Sequence, residues 1–169
     1  MLANEVLLDG FTRVKGIVHT TVDGLYADQL AYRPAGQANS IAWLVWHTAR
    51  VQDDHIAELA GTEQVWSAAG WYNTFNLPFE VTETGYGHTT EQVAAVQADA
   101  EQLLGYFDAV HDATVKYLQG LRDKDYAKTV DESYDPPVTM TTRLVSILSD
   151  DLQHAGQAAY VKGLLKTDA

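Results

Sequence analysis

The stretch VAAVQADAEQLLGYFDAVHDATVKYLQGL, residues 93–121, carries the most regular pattern in the chain and predicts the fold class. Its mostly apolar positions recur at alternating steps of three and four, which places them on one side of an α-helix. They are Val93, Val96, Ala100, Leu103, Phe107, Val110, Thr114, Tyr117 and Leu121. Thr89 or Thr90 is expected to cap this helix, and Glu91 adds favourable charge to its first turn. We therefore predict one long amphipathic helix from about residue 90 to about residue 120.

Three further segments have a helical pattern and no segment reads as a strand. They span about residues 4–30, 41–60 and 141–165. Pro34 and Gly36 follow the first, Ser40 is a suitable N-cap for the second, and Gly61 ends the second. Four amphipathic helices of this length predict an all-α fold. We expect a four-helix bundle of up-down order with long connections, formed as a single domain by residues 1–169.

Residues 61–88, here called the aromatic segment, differ from the helices in composition. They are rich in Gly, Asn, Thr and Pro and contain large aromatic residues: Trp66, Trp71, Tyr72, Phe75, Phe79 and Tyr86. A loop of this length inside a compact domain is usually functional or disordered, and so many aromatic side chains argue against disorder. We predict an ordered cover over part of the bundle, with a short helical turn.

The composition excludes several classes of function. The 169-residue chain carries a net charge of −12 without a basic stripe, so we expect no nucleic-acid partner. No apolar run approaches the ~20 residues of a membrane span, and the N-terminus does not resemble a signal peptide. These features predict a cytoplasmic protein with no membrane partner. The absence of cysteine leaves His, Asp and Glu as ligands for a transition metal and excludes a cysteine nucleophile.

The residues most informative about function are Asp150 and His154, four positions apart in the last predicted helix, and His47 in the second. Side chains at i and i+4 lie on one face of a helix, so a carboxylate and an imidazole in this arrangement can bind one divalent cation. A third ligand from another helix would leave coordination positions open, as a catalytic metal requires. The spacing D-x-x-x-H also arises by chance, and two core histidines beside an ordinary helical aspartate are the alternative.

The second helix has a strip of residues away from its main apolar face. The strip consists of Trp43, His47, Arg50, Asp54 and Ala57. Arg50 and Asp54 are placed to orient a substrate carboxylate or to hold the tautomer of the imidazole, unless the strip is only a solvated face. Trp43 and Trp46 beside His47 favour a walled pocket, since exposed Trp pairs are uncommon.

The last helix has two distinct faces. Leu144, Leu148, Leu152, Ala155 and Ala159 form an aliphatic one, and Arg143, Ile147, Asp150, His154, Gln157 and Val161 form the other. If only the aliphatic face packs in the core, Asp150 and His154 point to water. A groove between helices, covered by the aromatic segment or by a second subunit, would enclose them instead. The sequence leaves these possibilities open.

The remaining histidines are less suited to be metal ligands. His55 is rotated by about 80° from His47 on the helix, and His19 has no partner at ligand spacing. His111 is interpreted as a partly buried structural residue and a reserve ligand, and His88 as part of a turn before a helix cap. The chain contains no nucleophile elbow, phosphate-binding loop or dinucleotide fingerprint.

Three segments resemble the DinB-like superfamily of four-helix metalloenzymes, and the resemblance covers nearly the whole chain. They are NSIAWLVWHTARVQDDH (39–55), TGYGHT (84–89) and SDDLQHAGQAAYVKGL (149–164). In that family a histidine in a W-x-x-x-H segment joins two ligands four apart on the last helix, which implies the metal ligands His47, Asp150 and His154. Most members carry histidine where this chain has Asp150. The metal-binding domain of mycothiol-dependent maleylpyruvate isomerase, which the chain also resembles, uses a carboxylate there.

The resemblance also implies an activity, because members of known activity are mostly thiol transferases that act with mycothiol or bacillithiol. We expect a divalent metal, zinc or alternatively nickel, that activates a low-molecular-weight thiol for attack on an electrophilic small molecule. Trp43 and Gln157 are the expected cofactor contacts, Arg50 and Asp54 are supporting residues, and a homodimer is expected. The alternatives are a non-catalytic protein that binds a metal or small molecule, and a stress-related helical dimer with a vestigial site.

Overall fold

The computed structural model describes residues 3–165 and is 69% helix and 3% strand. Its elements in chain order are α1 (Ala3–Val22), α2 (Ala27–Leu30), α3 (Ile41–Ala60), α4 (Val65–Ala68), α5 (Trp71–Phe75), α6 (Thr90–Ala95), α7 (Ala100–Gly120), β1 (Thr129–Asp131), β2 (Val138–Thr139) and α8 (Met140–Leu165). Short 3-10 turns lie at Pro34–Gly36 and Asp123–Asp125. The predicted all-α fold is confirmed. No helix within residues 3–165 is long and apolar enough to cross a membrane.

The four long helices, α1, α3, α7 and α8, form the bundle. Both α1 and α3 pack against α7 and α8, so α1 and α3 lie at opposite corners. The apolar sides of the helices fill the interior, where Val14, Leu44, Phe107 and Leu144 are almost completely buried. The predicted four-helix bundle is confirmed, and the groove between α3 and α8 carries the candidate site.

Two of the predicted helices are interrupted, so the expectation of continuous helices there was wrong. The third divides into α6 and α7 because Val96 adopts an extended backbone and Asp99 caps α7. The Asp99 carboxylate accepts from the Gln102 N–H at 2.8 Å, and Gln102 Oε1 accepts from the Asp99 N–H at 3.0 Å. This reciprocal cap satisfies free donors at the start of α7, which an apolar period alone does not reveal. The first helix ends at Val22, and Gly24, with φ +76°, lies in the turn towards α2.

The connector between α7 and α8 contains a small hairpin, contrary to the expectation that no strand forms. β1 and β2 pair antiparallel, with Thr129 opposite Thr139. These strands contain three and two residues, too few for the alternating pattern that identifies a strand in a sequence.

The helix α3 is buried on most of its surface. Ser40 caps it by accepting from the Trp43 N–H at 3.1 Å, and Gly61, with φ +64°, ends it, as predicted. Every residue from Ile41 to Arg50 is buried, because α7, α8 and the aromatic segment surround this half of the helix. The strip that contains His47 is therefore internal and is not a solvated face.

The aromatic segment is ordered and contains α4 and α5. Trp66 and Phe75 are buried against Tyr106 of α7, with ring centroids 5.0 and 5.9 Å from that ring. This packing covers α3 and α7. The end of the segment then reaches the groove between α3 and α8, where Thr84 and Tyr86 form part of the wall.

The buried face of α8 lies between the two faces distinguished in its sequence. It consists of Met140, Leu144, Ile147, Asp151, Ala155, Ala158 and Val161. Leu152 and Ala159, which the sequence places on the aliphatic face, are exposed, so the core takes only part of that face. The helix packs against both α1 and α3 and buries the sector between these neighbours. Asp150 and His154 consequently lie at the edge of the buried face, partly buried beside α3.

Candidate metal centre

The structure brings His47 of α3 together with Asp150 and His154 of α8. Each side chain offers one ligand atom, and the three atoms lie within 4.8 Å of one another. The two imidazole rings are 5.0 Å apart between centroids, at 73°. Among residues 3–165 this is the one group of His, Cys, Asp and Glu side chains with the spacing to hold a metal ion.

His47 has one ring nitrogen against the protein and the other available for a ligand. Its Nδ1 lies 2.6 Å from the carbonyl oxygen of Thr84, so Nδ1 donates and the lone pair of Nε2 is free. The indole ring of Trp43 stacks on the imidazole at 4.5 Å and 17°. Burial lowers the pKa of His47, which favours the neutral ring that a metal requires.

His154 is oriented in the same way. Its Nδ1 lies 3.0 Å from Oε1 of Gln157, and its Nε2 lies 3.5 Å from Oδ1 of Asp150. The contact with Asp150 raises the pKa of His154, and the same contact lowers the pKa of Asp150. A proton on His154 and a divalent cation therefore compete for the same pair of side chains.

The polar atoms at this point fit a divalent cation. Oδ2 of Asp150 is buried and has no hydrogen-bond partner among the described residues, although buried carboxylate oxygens are normally bonded. Two histidines and one carboxylate are a common ligand set for catalytic zinc, with further coordination positions open. The backbone carbonyl at Nδ1 of His47 is also a usual partner of a metal-binding histidine.

The backbone at Gly85 lies directly against this site. Its φ is +94°, and a Cβ there would lie 2.8 Å from Nδ1 of His47 and 3.0 Å from the ring of Trp46. Glycine alone combines this backbone conformation with so close an approach. The loop can thus place the Thr84 carbonyl on the imidazole.

A cavity of about 330 Å³ opens beside the ligands, and His47 and Asp150 line it. Asp54 and His55 also line it, about two turns further along α3 than His47, with Tyr86 among the remaining wall residues. A second, mostly apolar hollow of about 620 Å³ borders Gln157, the hydrogen-bond partner of His154, and none of the three candidate ligands lines it. Both volumes are in the range of small-molecule sites.

The structure places Arg50 and Asp54 in different surroundings. Arg50 has no exposed surface, and its guanidinium donates to protein acceptors that include Glu83 O at 3.0 Å and Gln64 Oε1 at 2.8 Å. Asp54 accepts from Gln64 Nε2 at 2.6 Å and faces the smaller cavity. Of the two, Asp54 is the residue that a molecule in the cavity would touch.

Trp43 and Gln157 both contact the candidate ligands. Trp43 is 6% exposed, stacks on His47, and donates from Nε1 to Nδ1 of His88 at 3.2 Å. Gln157 is exposed, orients His154, and borders the larger hollow. The structure therefore places Gln157, more than Trp43, within reach of a second molecule.

Sequence reasoning missed the contributions of Thr84, Gly85 and His88. His88 is a buried neighbour of the site, because its ring packs on Trp46 at 5.7 Å and 23° and accepts from Trp43. The segment TGYGHT stood out through its resemblance, but a contact made by a backbone carbonyl has no side-chain signature. Only the path of the loop shows that Thr84 reaches His47.

The other three histidines lie outside the candidate ligand set. His19 Nε2 is 2.6 Å from Asp108 Oδ1, on the side of the bundle formed by α1 and α7. Nδ1 of His55 accepts a hydrogen bond from Arg143 Nη1 at 2.8 Å, because a guanidinium can only donate. His111 is buried in α7.

Comparison with known proteins agrees with the fold. A sequence profile of the DinB superfamily matches residues 11–158. The crystal structure of a conserved protein from Enterococcus faecalis is similar with a TM-score of 0.89 and 30% sequence identity, over 96% of each chain. No curated protein matches the chain. The chain therefore belongs to the DinB superfamily.

Proposed function

We propose that this member of the DinB superfamily is a metal-dependent enzyme that transfers a low-molecular-weight, mycothiol-like thiol to an electrophilic small molecule. The observation that carries the proposal is the convergence of His47, Asp150 and His154 beside a cavity. A structural zinc site encloses its ion with four protein ligands, whereas three ligands and an adjacent cavity leave room for a substrate. The choice of a thiol as co-substrate rests on the resemblance to the DinB-like superfamily, whose members of known activity are mostly thiol transferases.

The roles of the side chains follow from their contacts. Nε2 of His47, Nε2 of His154 and the Asp150 carboxylate would hold the cation, and Thr84 and Gln157 keep the two ring protons on Nδ1. A bound divalent cation would lower the pKa of a thiol coordinated to it. In the transfer, the thiol sulfur supplies the electrons of the new C–S bond, the leaving group departs with those of the broken bond, and the thiol proton passes to solvent.

Two spaces near the site support a reaction between two small molecules. One is lined by His47 and Asp150, and the other borders Gln157, the hydrogen-bond partner of His154. The smaller cavity is lined by Asp54 and His55 and suits the polar body of a thiol co-substrate. The larger hollow is lined by Leu44, Tyr160 and Val161 and suits an apolar electrophile. A transfer enzyme must place both molecules next to the activating group at once.

Zinc is the metal we propose, with nickel as a substitute, because a histidine and carboxylate set without thiolates suits both ions. Elemental analysis of the untagged protein should find one ion per chain. The metal-loaded protein, incubated with a low-molecular-weight thiol and a halonitrobenzene, should then form the thioether at a rate that requires both metal and thiol. Metal without turnover would favour the non-catalytic binding protein, and a metal-free protein would favour the dimer with a vestigial site.

We also propose that the protein is a homodimer that pairs through α8 and acts in the cytoplasm. Six exposed, mostly small or apolar residues follow one another along α8 at steps of four and three: Val145, Ser149, Leu152, Gly156, Ala159 and Gly163. A Cβ at Gly156 or Gly163 would meet nothing within 4 Å, so a second helix can approach closely there. This spacing is the one by which two helices interlock, and a two-fold axis would pair the seam with itself.

Light scattering at micromolar concentration should give about twice the 18.6-kDa mass of the chain. Leu152→Glu places a charge in the middle of the seam and should produce monomers. Val6→Glu, which changes an exposed apolar residue on α1, is the matched control and should stay dimeric. A wild-type mass near that of one chain would contradict the dimer.

A further inference from the structure

We propose that Arg50 is a positioning residue for the metal centre, because its buried guanidinium holds the loop whose Thr84 carbonyl orients His47. The inference rests on the proposed function only where it concerns metal affinity. The orientation of His47 is a property of the chain itself. Arg50 does not touch a ligand directly, so its effect passes through the backbone of residues 81–84.

The contacts of Arg50 with this loop are made to carbonyl oxygens. Nε donates to Glu83 O at 3.0 Å, and Nη2 donates to Val81 O at 3.3 Å. The next residue after Glu83 is Thr84, whose carbonyl accepts from His47 Nδ1 at 2.6 Å. One edge of the guanidinium thus holds the carbonyls of residues 81 and 83, directly before the Thr84 carbonyl that bonds His47.

The opposite edge of the guanidinium is fixed by the protein core. Nη1 donates to Gln64 Oε1 at 2.8 Å and to the Tyr106 hydroxyl at 3.3 Å, and it lies 3.7 Å from Asp53 Oδ2. The ring of Trp66 lies 5.0 Å from the guanidinium carbon. A planar fork with donors in several directions can satisfy all of these partners, whereas the single ammonium of a lysine lacks that geometry.

The loop needs such an anchor because its neighbour on the other side is a glycine. Gly85 permits the close approach to His47 but has no side chain that could hold the backbone in place. Backbone hydrogen bonds lie on both sides of Thr84, with Glu83 N–H donating to Glu80 O at 3.0 Å and His88 N–H donating to Gly85 O at 3.2 Å. Neither bond holds the carbonyls of residues 81 and 83, which Arg50 binds directly before Thr84.

Arg33 offers a matched control, because it makes the same kind of contact elsewhere. Its guanidinium donates to three backbone carbonyls, of Ala38 at 2.7 Å and of Gln37 and Thr90 at 2.8 Å. These carbonyls belong to the turns before α3 and at the start of α6, and none of them accepts from a candidate ligand. If replacing any loop-binding arginine lowers zinc affinity, the loss should therefore appear in both Arg33→Lys and Arg50→Lys.

The test compares Arg50→Lys with Arg33→Lys by long-range ¹H–¹⁵N spectra of histidine-labelled, metal-free protein. Wild type and Arg33→Lys should show His47 with its proton on Nδ1, and Arg50→Lys should show a mixture of tautomers. Zinc affinity, measured by competition with a chelator, should fall by roughly 10–100-fold in Arg50→Lys alone, the usual cost of losing an outer partner of a ligand. Circular dichroism checks that the helices remain.

An unchanged His47 tautomer in folded Arg50→Lys would overturn the proposal, and so would an equal loss of zinc affinity in both lysine variants. If Arg50→Lys fails to fold, Tyr106→Phe takes its place, since it removes a hydroxyl bonded to both Arg50 and Asp53 but keeps the ring. A shift of the His47 tautomer in that variant supports the proposal, and an unaltered His47 counts against it. If wild type binds no zinc, the proposed function fails, while the tautomer comparison still decides the role of Arg50.

Discussion

The cluster around Arg50 and Asp53 and the pair of Asp150 and His154 use similar side chains in opposite ways. Asp53 is 3% exposed and accepts from two backbone N–H groups at the start of α4, at 2.9 and 2.8 Å, and from the Tyr106 hydroxyl at 2.9 Å. Asp150 is more exposed, yet its Oδ2 is buried without a hydrogen-bond partner among residues 3–165. The satisfied cluster stabilises the fold, while the unsatisfied one lies beside a cavity and can receive a ligand.

Neighbouring positions on α8 sharpen this contrast. Asp151 has no exposed surface, and neither of its carboxylate oxygens has a hydrogen-bond partner among the described residues. It faces the bundle core, whereas Asp150 faces the groove. An unpaired carboxylate therefore indicates a ligand site only where a cavity gives access to it. In the core the same side chain is instead expected to stay protonated.

The largest effect is expected from removing a candidate ligand. His154→Ala should reduce zinc affinity by more than roughly 100-fold, since changes of outer partners alone cost 10–100-fold. Elemental analysis and chelator competition measure the loss, and circular dichroism should show unchanged helix content. The matched control is His19→Ala, which removes a half-exposed imidazole on α1 and should keep the metal. Full metal content in His154→Ala would rule out the assignment.

The second effect concerns the satisfied cluster. Asp53→Ala removes three hydrogen bonds and leaves Arg50 buried without its nearest carboxylate, so the free energy of unfolding should fall by about 3–5 kcal/mol. Urea unfolding of the metal-free protein measures the change. Asp9→Ala, which breaks an exposed pair with Arg13 on α1, should leave stability nearly unchanged. Equal losses in the two variants would mean that the Asp53 cluster is not a special contributor to stability.

The smallest effect is expected at Asp151, where burial raises the pKa of the carboxyl well above its usual value. A carboxyl whose pKa rises on folding stabilises the folded state fully below its unfolded pKa, near 3.8, and this contribution is lost as pH rises towards the folded value. Asparagine has the same shape and does not ionise. Asp151→Asn should therefore be more stable than wild type at pH 7, by less than the Asp53→Ala loss, and the difference should shrink towards pH 4.

Urea unfolding at the two pH values tests this expectation. The same conservative change one position earlier, Asp150→Asn, removes a carboxylate whose pKa the contact with His154 lowers, so it should not stabilise the protein at pH 7 and should lower zinc affinity. A less stable Asp151→Asn protein at pH 7 would mean that the ionised carboxylate of Asp151 has a favourable partner in the core.

The sequence predicted the elements whose signals are local. The apolar period identified the bundle helices, and Ser40 and Gly61 marked the ends of α3, because caps and left-handed turns depend on residues adjacent in the chain. The break between α6 and α7 was missed, since Asp99 lies within an uninterrupted apolar period. The capping hydrogen bonds of Asp99 compete with a continuous helix from α6 into α7. Counting apolar residues along the sequence does not detect these bonds.

What the sequence by itself determined is the all-α bundle and the pairing of Asp150 with His154, because both follow from spacing along one helix. The resemblance named His47 together with this pair, but only the tertiary structure shows that the three side chains meet, that Arg50 is internal, and that the core face of α8 runs through Asp151. These outcomes depend on which helices become neighbours and on the path of a long loop. They are fixed by the burial of apolar surface over the whole chain, so no short stretch of residues records them.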